Sequence, residues 1–228
     1  MGENGIGTAR QGLVYENGSM HPEERTIVRE QITHVSVNGQ EAGSFACSPV
    51  QLEDAAVGYL FLNGWITAPE EIGALEIREE SAQIRAVVRT GAAKPAKQEK
   101  RLKIRAEEVA SLLSRLEEQR AKGVHSCALI CGEQTVFRTD VSRSAAVDKA
   151  AGACLRQGIP TQGSILVFSG RVPEGIVHKC VQMGCGMIVA RSGPTDLACE
   201  EAEQAGITIV SHAGNGRFCI YTCPEHIV

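Results

Sequence analysis

The chain has no excess of basic charge. Its 23 lysines and arginines face 27 aspartates and glutamates, a net charge of −4 over 228 residues, which leaves no electrostatic footprint for general nucleic-acid binding. No apolar run approaches the roughly 20 residues that crossing a bilayer requires. The opening residues, Met1-Gly2-Glu3-Asn4-Gly5, have neither a basic nor an apolar region, so no secretory signal is expected. These absences point to a cytoplasmic protein with no nucleic acid and no membrane among its partners. Aromatic residues are only 4% of the chain, but apolar residues as a whole make up 43%, enough for a substantial core.

Signatures of familiar chemistry are missing as well. There is no Walker loop, no Gly-x-Gly-x-x-Gly opening a helix, no Gly-x-Ser-x-Gly and no Cys-x-x-Cys. A zinc nucleoside deaminase needs His-x-Glu and Pro-Cys-x-x-Cys, whereas His125 is followed by Ser126-Cys127. No metal site is expected. The nine cysteines are odd in number and sit inside apolar runs, which suits reduced, buried thiols in a cytoplasm. Cys127 and Cys131, like Cys219 and Cys223, share a face of strand-like segments, and core filling is their simplest role.

What is present is organised around Ser164 to Thr222. Ser164–Ser169, Met187–Ala190 and Ile207–Val210 are short, nearly unbroken apolar runs separated by two helical stretches that end at Gly184 and Gly206. Apolar strands alternating with short helices predict a parallel sheet covered on both faces. Ligands of such sheets sit outside the strands' carboxyl ends. Those ends read Ser169-Gly170-Arg171, Arg191-Ser192-Gly193-Pro194 and His212-Ala213-Gly214-Asn215-Gly216-Arg217. The last segment can turn its backbone N–H groups inward as an anion nest, with Arg217 pairing to phosphate; it can equally be an ordinary Asn-Gly turn. Ser169-Gly170-Arg171 precedes a helix start, where orphan N–H groups favour anions, or forms only a tight strand-to-helix turn.

The rest of the chain reads as two units with a boundary near Gly123. Residues 1–24 read as a loose tail able to add an edge strand, 25–122 as a smaller N-terminal α+β domain, and 123–228 as a C-terminal α/β domain. In the first, Glu30–Asn38 and Glu41–Cys47 form a hairpin around Asn38-Gly39. Ser48 and Gln51 form a capping box, with Pro49 at the first helical position. Residues 90–100 form a mobile loop, and an amphipathic helix follows from Ala106 to Lys122 with Val109, Leu112, Leu113 and Leu116 on its apolar stripe. In the second, Val124–Ile130 and Gln134–Thr139 form a hairpin, and Ser142 or Ser144 caps the next helix. Asp140 is placed to cap that helix, and Asp148 with Lys149 to lie on its wet face, though so dense a charge cluster also suits a site.

The ordered series Cys47-Ser48-Pro49, Leu52-Glu53-Asp54, Val57-Gly58-Tyr59-Leu60-Phe61, Gly123-Val124-His125-Ser126, Asp140-Val141-Ser142-Arg143, Ala146-Val147-Asp148-Lys149, Ser169-Gly170-Arg171, Ser192-Gly193-Pro194-Thr195 and Gly216-Arg217-Phe218 resembles the formate dehydrogenase accessory sulfurtransferase family (FdhD). The resemblance runs from about Ile32 to Ile227. It implies a three-layer α/β/α, cytidine-deaminase-like C-terminal domain beside the smaller N-terminal one, in a cytoplasmic homodimer. It also implies that a cysteine desulfurase supplies sulfur as a persulfide, which passes to the molybdenum bis(molybdopterin guanine dinucleotide) cofactor before that cofactor enters formate dehydrogenase. By similarity His212, Ala213, Gly214, Asn215, Gly216 and Arg217 belong to the loop that binds the cofactor or a guanine nucleotide; Ser169, Gly170, Arg171, Arg143 and His125 complete the candidate set. Members of the family carry sulfur on a Cys-x-x-Cys in a loop that corresponds to Arg89–Lys100, and here that loop has no cysteine. Cys127, beside His125, is the candidate replacement. The alternative is a chaperone that binds the cofactor or a guanine nucleotide without sulfurtransferase activity.

Overall fold

The structure is a computed structural model that describes residues 5–89, 103–119, 123–214 and 217–228. Gly7–Glu16 (β1) and Ser19–Val28 (β2) form a two-stranded antiparallel hairpin, which corrects the reading of this segment as a loose tail. Its turn is Asn17-Gly18, with φ of 51° and 86°, the left-handed pair a type I′ turn demands. The hairpin escaped the sequence reading because nearly every side chain on both its faces is exposed. No face is apolar enough to impose the alternation that betrays a strand.

Gln31–Val37 (β3) and Gln40–Cys47 (β4) meet at Asn38-Gly39 as expected, with φ of 52° and 80°. With Ile72–Arg78 (β5) and Gln83–Val88 (β6) they make a four-stranded sheet in the order β4-β3-β6-β5, β3 lying parallel to β6. Helix α1, Leu52–Leu62, buries Val57 and Leu60 against Val35, Val37, Ile84 and Ala86 of that sheet. Its start is not a capping box. The residue before it, Gln51, is left-handed with φ 52° and makes no side-chain cap, while the Ser48 hydroxyl is engaged elsewhere, accepting from the Val141 amide at 3.1 Å.

Helix α2, Ala106–Glu118, is followed by His125–Cys131 (β7), Gln134–Asp140 (β8), helix α3 at Arg143–Arg156 and Ile165–Phe168 (β9). Helix α4 (Glu174–Met183), Met187–Ala190 (β10), helix α5 (Asp196–Ala205), Thr208–Gly214 (β11) and Arg217–Ile220 (β12) complete the chain. The sheet runs β12-β11-β10-β9-β7-β8. The three apolar runs are its centre, β9, β10 and β11 being parallel neighbours, with β7 and β12 antiparallel on either side. Alternate side chains face opposite layers. Val167, Met187, Val189 and Val210 meet Val109, Leu113 and Leu116 of α2, whereas Leu166, Phe168, Ile188 and Ile209 meet α3, α4 and α5. The sheet is therefore covered on both faces. Helix α2, grouped with the N-terminal unit by its place in the sequence, serves as a cover of the C-terminal sheet: the stripe on a helix shows that it has a partner, not which one.

Two features lock α1 to α3. The helices cross at Gly58 and Gly152 so closely that a Cβ on Gly58 would lie 1.8 Å from the Asp148 carbonyl oxygen, and one on Gly152 would lie 1.9 Å from that of Asp54. Around the crossing, charge is buried. Asp140 and Lys149 are each 0% exposed and paired at 2.5 Å. The Ser48 amide donates to both Asp140 carboxylate oxygens (3.0 and 3.2 Å), the Ser142 amide donates to Oδ1 (2.7 Å), and Lys149 Nζ also donates to the Ser48 carbonyl (3.1 Å). Asp148, 1% exposed, accepts from Lys179 at 2.5 Å, and burial holds its carboxyl above the usual aspartate range against that lysine. Asp54 accepts from Arg138 and Arg156. The expected wet face at Asp148-Lys149 is therefore an interior one, because α1 packs where solvent was expected.

Candidate functional site: an arginine-bearing sheet rim

The strand directions bring the carboxyl ends of β8, β9, β10 and β11 and the amino ends of β7 and β12 to one edge of the sheet. Each predicted segment lands there. Ser169, after β9, is held against the start of β7: its amide donates to the Ser126 carbonyl (3.0 Å), and the Ser126 amide donates to its Oγ (2.9 Å). His125, half-buried, is the first residue of β7. Ser142 caps α3, its hydroxyl accepting from the Ala145 amide at 3.4 Å, and so sets Arg143 at the helix's first position. Arg143 lies over Gly170, where a Cβ would come within 3.0 Å of the arginine Cδ and also of the Phe168 ring. A side chain there would press on both the arginine and the ring, and the glycine leaves room for the arginine to lie across the strand end.

The second half of the rim continues from Arg171. Its guanidinium donates to the Gly193 carbonyl at 3.4 Å, and the strand ends are tied by a parallel bridge between Val172 and Pro194. A Cβ on Gly193 would lie 3.1 Å from His212 Nε2 and 3.7 Å from the Tyr221 hydroxyl, so this glycine is the floor between those rings, which are 6.2 Å apart at their centroids. His212 is exposed and left-handed, φ 56°, a conformation that costs a non-glycine residue about 1–3 kcal/mol and collects at functional positions. Ala213 and Gly214 continue β11; Asn215 and Gly216 lie outside the described residues. Arg217, exposed, opens β12 opposite Gly214. Arg143, Arg171, Arg191 and Arg217 are thus all exposed on one edge. Nothing in Asp140 offsets them, because Lys149 already neutralises it.

The donor chemistry of the rim suits an anion. Four guanidinium groups supply planar, bidentate donors suited to phosphate oxygens, and α3 and α4 begin beside them with orphan N–H groups. An orphaned polar atom points the same way: Ser126 Oγ is buried at the rim without a hydrogen-bond partner, a position that asks for one from outside the chain. A polyphosphate ligand fits this donor set.

Cys127 does not fit the role assigned to it. It is 0% exposed, its thiol donates to the Ala146 carbonyl at 3.0 Å, and burial pushes it up to about 12. A thiol held so far above neutral pH and closed to solvent cannot accept sulfur. Cys47, Cys131, Cys154, Cys180 and Cys185 are buried too, Cys199 and Cys223 are half-buried, and only Cys219 is exposed. The sequence reading missed Cys219 because β12 is an edge strand, and edge position leaves no mark in a four-residue run. Among the described residues, Glu174, His178 and Glu201 form a group whose ligand-type atoms lie within 4.8 Å of one another on the α4–α5 surface, with His178 and Glu201 3.6 Å apart.

No helix among the described residues is long and apolar enough to cross a membrane. The chain resembles curated proteins over nearly its full length. It is 30% identical, over 99% of its residues and 98% of the relative's, to the sulfur carrier protein FdhD of Shouchella clausii. It is 28% identical to that of Listeria innocua over 93% of the chain and 95% of the relative, and 29% identical to that of Bacillus subtilis over 93% and 94%. Its fold matches the crystal structure of a Desulfotalea psychrophila protein described as a formate dehydrogenase accessory protein, with a TM-score of 0.79 over 98% of this chain and all of that one, at 24% identity. The FdhD/NarQ family model matches residues 28–103 and 88–228, so that both the buried Ser48–Asp140–Lys149 knot and the arginine rim fall within it: the chain belongs to the FdhD/NarQ family.

Proposed function

We propose that this protein is a formate dehydrogenase accessory protein whose sheet rim holds the guanine-dinucleotide molybdenum cofactor while sulfur is delivered to it. The relatives carry the name sulfur carrier protein, and the structural relative is described as a formate dehydrogenase accessory protein. The observation that carries the reading is the convergence of Arg143, Arg171, Arg191 and Arg217 with the orphaned Ser126 hydroxyl on one edge of the sheet. The cofactor is here a passenger rather than a resident group, and its pyrophosphates match that donor set. Formate dehydrogenase is the receiving partner, a cysteine desulfurase the sulfur source, a homodimer in the cytoplasm the working state.

One observation favours a second reading, a cofactor or guanine-nucleotide chaperone without sulfur transfer. The stretch Arg89–Lys100 contains no cysteine, and the substitute weighed from the sequence, Cys127, is buried.

GDP serves as the probe. Isothermal titration should show binding to the wild-type chain, and Arg217→Ala should weaken it at least ten-fold, the loss of a hydrogen bond to a charged group being about 1.5–3 kcal/mol. Equal affinity in the two proteins would remove Arg217 from the site. No binding by the wild type would remove the nucleotide reading altogether.

A further inference from the structure

We infer that Cys219 is the sulfur-accepting thiol of this protein, standing at the rim in place of a loop cysteine. The inference rests on the sulfur-carrier reading above and adds the atom that does the chemistry. Cys219 is the one exposed thiol of the nine, and accessibility is the first requirement of a persulfide carrier.

Its surroundings make it more than a lone cysteine. Phe218 and Ile220 of β12 pack into the apolar layer beneath α2. By strand alternation Arg217, Cys219 and Tyr221 therefore share the opposite face, the one on which α5 carries Cys199. The Tyr221 phenol lies beside Cys219 and Cys199, and both thiols add to the desolvation that raises it above the usual tyrosine range. On its other side the same phenol neighbours Gly193 and His212, both in the rim. The arginine that opens β12 for phosphate thus stands two residues from the thiol, so a sulfur on Cys219 is at the edge of the proposed cofactor site.

A second, independent observation points to a ligand at this place. Ser211 is the cross-strand partner of Cys219, and directly opposed residues of an antiparallel pair project to the same face. Ser211 is 0% exposed, and its Oγ has no hydrogen-bond partner. A buried hydroxyl left unsatisfied is costly, and this one stands directly across the strand pair from Cys219, on the face that carries the thiol.

The step balances without an outside oxidant. The Cys219 thiolate attacks the outer sulfur of a donor persulfide, R–S–SH. The new S–S bond forms to Cys219, the donor's own S–S bond breaks, and the donor leaves as the thiolate R–S⁻. The transferred sulfur keeps its proton, so the product is Cys219–S–SH. The oxidising equivalent travels with that sulfur.

The test treats the full chain with glutathione persulfide and reads peptides by mass spectrometry across a pH series, with GDP titrated into the same samples. Expected is a gain of about 32 Da, one sulfur, on the Cys219 peptide, at least ten-fold faster than on Cys199 or Cys223. Cys219→Ser should abolish it with an unchanged melting temperature. Modification spread evenly over the thiols, or an undiminished rate in Cys219→Ser, would each overturn the assignment. The GDP isotherm reads the rim reading separately: GDP binding without Cys219 persulfide sinks this inference alone, and persulfide on Cys219 without GDP binding sinks the nucleotide site alone.

Discussion

Gly152→Ala is expected to destabilise the protein by about 3–5 kcal/mol, at the upper end of what overpacking a close contact costs. The added methyl would stand 1.9 Å from the Asp54 carbonyl oxygen and 2.6 Å from the Gly58 nitrogen. Both are backbone atoms of α1, so no side chain can swing aside and the two helices must separate. Separation opens the packing on both sides at once, since α1 also covers the four-stranded sheet. Gly58→Ala should behave alike, its methyl meeting Asp148 backbone at 1.8 Å. Gly175→Ala on α4 is the control. Nothing lies within 4 Å of its would-be Cβ, and alanine there should be neutral or gain up to about 1 kcal/mol of helix propensity. Urea titrations of the three variants give the comparison. A cost below about 1 kcal/mol at Gly152 would mean that the helices do not cross as described.

Lys149→Met comes next in size. It would leave the Asp140 carboxylate fully buried with two amide donors and no cation, and breaking a buried pair from one side costs about 3–5 kcal/mol. The methionine keeps most of the volume, so the loss reports on charge rather than on a cavity. Asp140→Asn added to Lys149→Met should cost less than the sum of the two single changes, with a coupling of about 1–3 kcal/mol. Additive costs would show that the two groups do not act as a pair. Because Asp140 also fixes the Ser142 amide that precedes Arg143, the single variants should weaken GDP binding even at temperatures where they remain folded.

The parts of the molecule that the sequence made legible are those whose signals are local. Three wholly buried strands announce themselves by unbroken apolar runs, and Asn38-Gly39 by its turn chemistry. The rim was legible because it follows from strand direction: once β9, β10 and β11 are parallel, their following residues must share an edge. The misreadings concern residues with distant partners. Ser48 and Gln51 have the spacing of a capping box, yet Ser48 bonds to residues more than ninety positions away. Lys149 reads as solvated because lysine usually is, and only the arrival of α1 buries it. Cys127 and Cys219 look alike as single letters in short apolar strings. One lies under α3 and the other on the free side of an edge strand, a difference set by sheet order alone.

The enclosure of Lys149 has a practical outcome for anyone handling the protein. Amine-directed reagents such as an N-hydroxysuccinimide ester can reach the surface lysines at once, but they can reach this nitrogen only while the joint between the two helices is open. The slow rate at which that single amine becomes labelled would then serve as a built-in clock for how often the two halves of the molecule come apart.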